Sequence, residues 1–145
     1  MNNRIVEIVI CAMFILLFST GCVVHEGRRP IDFPNTRWVS QEPDMFFEVH
    51  NRGSVSYAQI IVNEEIIELM VDFAESGSSV LVRDLSGFDP DTGRMFPGLS
   101  TADVTIFIGL CRFSPDRVVI TITQNPIGFL DDSIEKIIFY REDIE

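Results

Sequence analysis

From residue 36 onward the chain repeats one pattern, short runs in which every second residue is apolar, separated by turn-forming residues. Met45, Phe47 and Val49 alternate with Phe46, Glu48 and His50; Ala58, Ile60 and Val62 alternate with Tyr57, Gln59 and Ile61. Ile67, Leu69, Val71 and Phe73 alternate with Ile66, Glu68, Met70 and Asp72. A period of two places the two sets on opposite faces of an extended chain, so each run reads as a half-buried strand. Asn51-Arg52-Gly53-Ser54, Asn63-Glu64 and Ser76-Gly77-Ser78 lie between the runs and carry turn chemistry.

The pattern continues to the C-terminus. Residues 79–85 make a further strand. Residues 86–101, with Gly87, Pro90, Gly93, Pro97 and Gly98, read as a loop. Residues 102–113 predict a long strand, apolar on both faces, with Gly109 as a bend or bulge. A turn at Ser114-Pro115-Asp116-Arg117 leads to a strand over 118–124 with Thr121 and Thr123 on one face. After a loop at 125–132, the β-branched run from Ile134 to Glu142 forms the last strand, with Ile137, Phe139 and Arg141 on one face. The expected fold class is all-β: a small antiparallel meander of seven or eight strands closed as a barrel, with a β-sandwich as the alternative. Closure as a barrel removes exposed edges. A chain of 145 residues is one domain in length.

A different signal occupies the N-terminus. Arg4 and the α-amine precede an uncharged apolar run from Ile8 to Phe18, the length of a signal-peptide core and short of the roughly 20 residues a membrane span needs. Small residues, Ser19-Thr20-Gly21, then lead into Cys22. This segment resembles the lipobox of bacterial lipoprotein precursors, which ends in Gly or Ala followed by Cys; Ser19 stands where those precursors usually carry Leu. The resemblance implies a diacylglyceryl thioether on Cys22, cleavage before it, and anchorage in the cell membrane facing outside the cytoplasm. Two acyl chains suffice for a stable anchor. The expected organisation is a signal peptide over 1–21, a lipid-tethered linker over 22–36 and a single β domain over 37–145. The linker holds Gly27, Pro30, Pro34 and Asn35, which deny it a regular element. Its Arg28-Arg29 pair either touches anionic headgroups or is solvated. Cys11 leaves with the signal peptide. Cys22 and Cys111 then either pair as a disulfide or, the preferred reading, Cys22 is lipidated and Cys111 is a core residue of an apolar strand.

A second resemblance rests on Trp38, the only tryptophan, at the first strand and Arg141 at the end of the last. Lipocalins and related calycin barrels place a Trp on the first strand beneath an Arg from the last. Thr36 stands where their usual Gly precedes that Trp. The resemblance implies that Arg141 stacks on the Trp38 indole and closes one barrel end. The chain is thus similar to the small lipocalin-like barrels of uncharacterised Gram-positive lipoproteins.

The formal net charge of -11 repels phosphate backbones and argues against nucleic acid as a partner. Asp89-Pro90-Asp91-Thr92-Gly93 has two acids at alternate positions but lacks the remaining ligands of a calcium loop, and reads as an Asx turn. Glu64, Glu68 and Asp72 share parity and read as a solvated strand face; Asp131-Asp132 read as exposed. His50 is tied to no nucleophile by any motif, and neither G-x-S-x-G, His-Glu-x-x-His nor a phosphate loop occurs. No catalytic residue, metal site or cofactor is expected. The expected role is a protein-interaction or accessory envelope component, motivated by the outward apolar residues Phe46, Ile61, Ile66 and Met70. The alternatives are a binding module for a small apolar ligand or peptide, and a hydrolase-type enzyme built on His50 or the acids.

Overall fold

The computed structural model describes residues 29–145; the apolar N-terminal run, Gly21-Cys22 and the linker as far as Arg28 lie outside the described residues. Eight strands follow in sequence: β1 (Thr36–Gln41), β2 (Asp44–Val49), β3 (Tyr57–Val62), β4 (Glu65–Phe73), β5 (Ser79–Asp84), β6 (Thr105–Ser114), β7 (Arg117–Gln124) and β8 (Lys136–Asp143). Each pairs antiparallel with the next, and β8 returns to β1, giving one closed barrel in sequence order. The sheet meets itself, as in lipocalin-like barrels, so the sandwich alternative is excluded. The last pairing sets Thr36 opposite Asp143 and Trp38 opposite Arg141.

Local chemistry explains the connections. The β3–β4 hairpin turns on Asn63 (φ 51°) and Glu64 (φ 68°), the two left-handed residues that a two-residue hairpin requires. Gly109 lies where the β6–β7 register shifts; a Cβ there would sit 2.3 Å from Ile120 Cγ2, so only glycine allows that approach.

Alternation places the core. Met45, Phe47, Val49, Ala58, Ile60, Leu69, Val71, Ile137 and Phe139 are all buried and inward, as their parity predicts. Aromatic rings fill the interior: Phe47 lies 6.1 Å from Trp38, 5.1 Å from Phe139 and 5.6 Å from Phe73, centroid to centroid. An eight-stranded barrel is just wide enough for side chains to fill.

The structure departs from the expected strand over 102–113. Residues Thr101–Val104 form one α-helical turn, α1, and β6 starts only at Thr105. Ser100 caps that turn, accepting from the Asp103 amide at 3.4 Å, while Asp103 Oδ2 accepts from the Ser100 amide at 2.7 Å. This reciprocal capping box outweighs the β-branched sequence that follows. A bulge explains why β6 is apolar on both faces: Val82 faces Phe107 but Arg83 faces Thr105, so Ile106 is the extra residue and both it and Phe107 join the core.

The expected linker also ends earlier than residue 36. A 3-10 turn, Pro30–Asp32, opens the described chain, Ile31 enters the core, and Thr36 is the first residue of β1. Proline at the first position and Asp32, whose carboxylate accepts from the Arg29 amide at 2.8 Å, supply order in a segment whose composition reads as irregular. Antiparallel topology gives the barrel two ends. The entry end carries the N-terminal turn, the β2–β3, β4–β5 and β6–β7 connections and the C-terminus. The far end carries β1–β2, β3–β4, β5–β6 and β7–β8.

Candidate functional site

The entry end is closed by a chain of contacts starting at Thr36, which is buried. Its hydroxyl donates to the Phe33 carbonyl at 2.7 Å and accepts from Trp38 Nε1 at 3.0 Å. The Ile31 carbonyl accepts from the Gly53 amide at 2.7 Å and ties the turn to the β2–β3 loop. Trp38 packs on Phe113 (5.8 Å), Phe113 packs on Phe33 (5.7 Å), and the Arg141 guanidinium lies over Phe33 at 4.9 Å. Trp38 and Arg141 do face each other across β1 and β8, but the ring that carries the guanidinium is Phe33, two aromatic contacts from the indole. Phe33 belongs to the segment expected to be linker, so its role at the barrel end was hidden. Arg141 also donates to Asp143 at 2.8 Å.

The barrel wall opens at β4, toward the far end along its first half and toward the entry end along its second. Glu65 to Glu68 pair only with β3, and Leu69 to Phe73 pair only with β5. Every residue of β4 therefore has a strand partner on one side alone, and each half borders an opening. A groove of about 470 Å³ lies against the first half, between Ile66, Ile67 and Glu68 and the segment holding Leu85, Phe88 and Pro90. The chain leaves β5 here because Leu85–Gly87 form a 3-10 turn, with Asp84 Oδ1 accepting from the Ser86 amide at 2.8 Å. Gly87 allows the turn to press on α1: a Cβ there would lie 2.3 Å from Val104 Cγ1. Phe88 is held by Arg83, 5.1 Å from its ring, and by a bridge to Met95. Against the second half of β4 lies a cleft of about 260 Å³, floored by Ile31, Val55, Leu69, Val71 and Phe73 and bordered by Tyr57 and Asp72.

Of the four outward apolar residues singled out by parity, two are covered. The Arg37 guanidinium lies 3.9 Å over Phe46, which also meets Tyr57, and an Arg83 nitrogen sits 3.1 Å from the Met70 sulfur. Ile61 and Ile66 face each other across the β3–β4 hairpin and stay open, Ile66 at 62% exposure. No such cover was readable, because the covering arginines come from neighbouring strands.

The ionisable candidates do not converge. His50 Nε2 lies 3.0 Å from Glu48 Oε2 at the exposed entry end, while Ser56 Oγ accepts from the His50 backbone amide, not its ring. Asp72 pairs with Arg83, and Glu64 and Glu68 are exposed. Asp89 forms the expected Asx turn, accepting from the Asp91 amide at 2.9 Å. That bond, and then the Thr92 hydroxyl, hold its carboxyl below the usual range. Asp131 is lowered by the hydroxyl and then the amide of Ser133. Cys111 is half-buried against the core without a disulfide partner among the described residues, and burial pushes its thiol up to about 12. Among the described residues no three His, Cys, Asp or Glu side chains gather as a metal site.

Charge is unevenly placed. The far end carries Glu42, Asp44, Glu64, Glu65, Asp84, Asp89, Asp91, Asp103, Asp131, Asp132 and Glu135, with Arg83, Arg94 and Lys136 as its cations. At the entry end Arg29, Arg37, Arg52, Arg112, Arg117 and Arg141 offset most of the local acids, Asp32, Glu48, Asp72, Glu75, Asp116, Glu142, Asp143 and Glu145. Comparison of the chain with protein-family models, with curated proteins and with solved structures returned no match.

Proposed function

We propose that the chain is a lipoprotein anchored through Cys22 in the cell membrane, facing outside the cytoplasm, and that its barrel is a non-enzymatic protein-interaction or accessory envelope component. The supporting observation is where apolar surface lies. The interior is occupied by Trp38, Phe47, Phe73 and Phe139, whereas Ile61 and Ile66 stand open on the outside of the far end. The chain enters the barrel at Arg29, so residues 22–28 hold the entry end within about 25 Å of the lipid, at roughly 3.3 Å per residue. The acidic far end then points away from the anionic membrane surface, which favours that orientation.

A second reading, a module for a small apolar ligand or peptide, is favoured by the cleft that reaches Leu69, Val71 and Phe73. Photo-crosslinking in cells separates the two. A crosslinking residue is placed singly at Ile61, Ile66, Leu110, Ile127 and Tyr140 of the full chain. Interaction through the outer surface gives a discrete protein adduct from one face of the barrel; absence of adducts from every position overturns that reading.

A further inference from the structure

Three features of the far-end groove define what fits it. Its wall carries Ile66, the most exposed large apolar side chain among the described residues, with Leu85 opposite at 37% exposure. The β5-side edge of β4 is without a strand partner from Glu65 to Glu68. On the outward face of β4 Ile66 is followed by Glu68, and the exposed Glu64 stands in the turn just before the strand, so one apolar side chain has a carboxylate to either side along the chain. Asp84 adds negative charge on the opposite wall.

A second copy of this chain would bring the same carboxylates to face these, and an anionic membrane surface would be repelled in the same way. The complementary pattern is basic, apolar, basic at alternate positions of an extended segment. We infer that the groove docks an extended basic segment of a partner protein along the free edge of β4, a bulky apolar side chain resting between Ile66 and Leu85 and flanking Lys or Arg side chains meeting Glu64 and Glu68. Strand addition supplies main-chain pairing, and the alternate side chains supply selectivity. The inference rests on the protein-interaction reading above and names the chemistry of the partner.

Two labelled peptides of one composition test it, Lys-Thr-Leu-Thr-Lys and Thr-Lys-Leu-Lys-Thr. Extended, the first puts leucine on the lysine face and the second puts it on the other. Fluorescence anisotropy with the full lipidated chain in detergent is expected to give at least ten-fold tighter binding of the first. Ile66→Ser with Leu85→Ser removes that preference, Glu68→Lys weakens the first peptide at least five-fold, and Leu110→Ser, at an exposed site elsewhere, leaves both peptides unchanged. Equal affinities, no binding of either peptide, or a preference that survives the groove substitutions overturns the inference. Protein adducts from other faces of the barrel together with equal peptide affinities sink the groove alone; the lack of adducts from any face removes its premise.

Discussion

Thr36→Val tests the closure of the entry end at its most connected atom. Valine has nearly the shape of threonine and suits a strand, so packing and backbone preference are retained. What is lost is one hydroxyl that serves two bonds. The Trp38 indole N–H, fully buried, loses its acceptor, and the Phe33 carbonyl loses a donor. An orphaned buried donor costs about 1–3 kcal/mol, and the second bond contributes about 1 kcal/mol net. The expected loss is therefore about 2–4 kcal/mol, a large share of the roughly 5–15 kcal/mol that holds a small domain together. With a urea slope of about 2 kcal/mol/M, the midpoint falls by about 1–2 M. Far-UV circular dichroism follows the transition, so that Trp38→Phe can complete a double-mutant cycle. Thr36→Ser, which keeps the hydroxyl, loses much less, and Trp38→Phe in the Thr36→Val background shows a coupling of about 1 kcal/mol or more. A loss under about 0.5 kcal/mol with no coupling would refute the reasoning, because the indole N–H would then have another partner.

Two further outcomes follow from packing and titration. Gly109→Ala places a methyl 2.3 Å from Ile120 Cγ2 and 3.0 Å from the Thr121 carbonyl, so it destabilises by about 2 kcal/mol in the same urea experiment; unchanged stability would mean that the β6–β7 bulge shifts freely. Cys111 gives a pH dependence. Its thiol ionises near 9.0, the ordinary value, when unfolded and at about 12 when folded, so between those values the unfolded state has lost a proton that the native state keeps. Its contribution to stability is intact below pH 9 and declines as pH rises toward 12. Cys111→Ala therefore reduces the loss of stability between pH 8 and pH 10.5, and an identical loss in both chains counts against burial of the thiol.

Much of the barrel is legible in the sequence because burial on one face of a strand imposes a period of two. The inward sets at 45, 47 and 49, at 69 and 71, and at 137 and 139 are buried as their parity requires. Three features escaped for identifiable reasons. The Ser100 to Asp103 spacing is a helix-start signal, but the apolar run after it dominates a reading based on strand preference. Phe33 lies among prolines and reads as linker, yet it is the ring that carries Arg141. The change of partner along β4 leaves no trace, because apolar alternation continues unbroken from Ile67 to Phe73 while the neighbour changes at Glu68. Face periodicity records which side of a strand is buried and says nothing of which edge is paired. The groove and the cleft both arise from edges, so neither was visible beforehand.

The proposed role requires a filled barrel that works through its outer surface, and the only tryptophan offers a direct measurement. Trp38 lies in the core, stacked on Phe47 at 6.1 Å, so it would transfer energy to any fluorescent apolar molecule lodged inside. Titration of the full chain with a polyene fatty acid, exciting Trp38, is predicted to give no saturable transfer beyond that of a denatured control. Saturable one-to-one transfer, displaced by an unlabelled fatty acid, would contradict the claim and make the barrel a carrier.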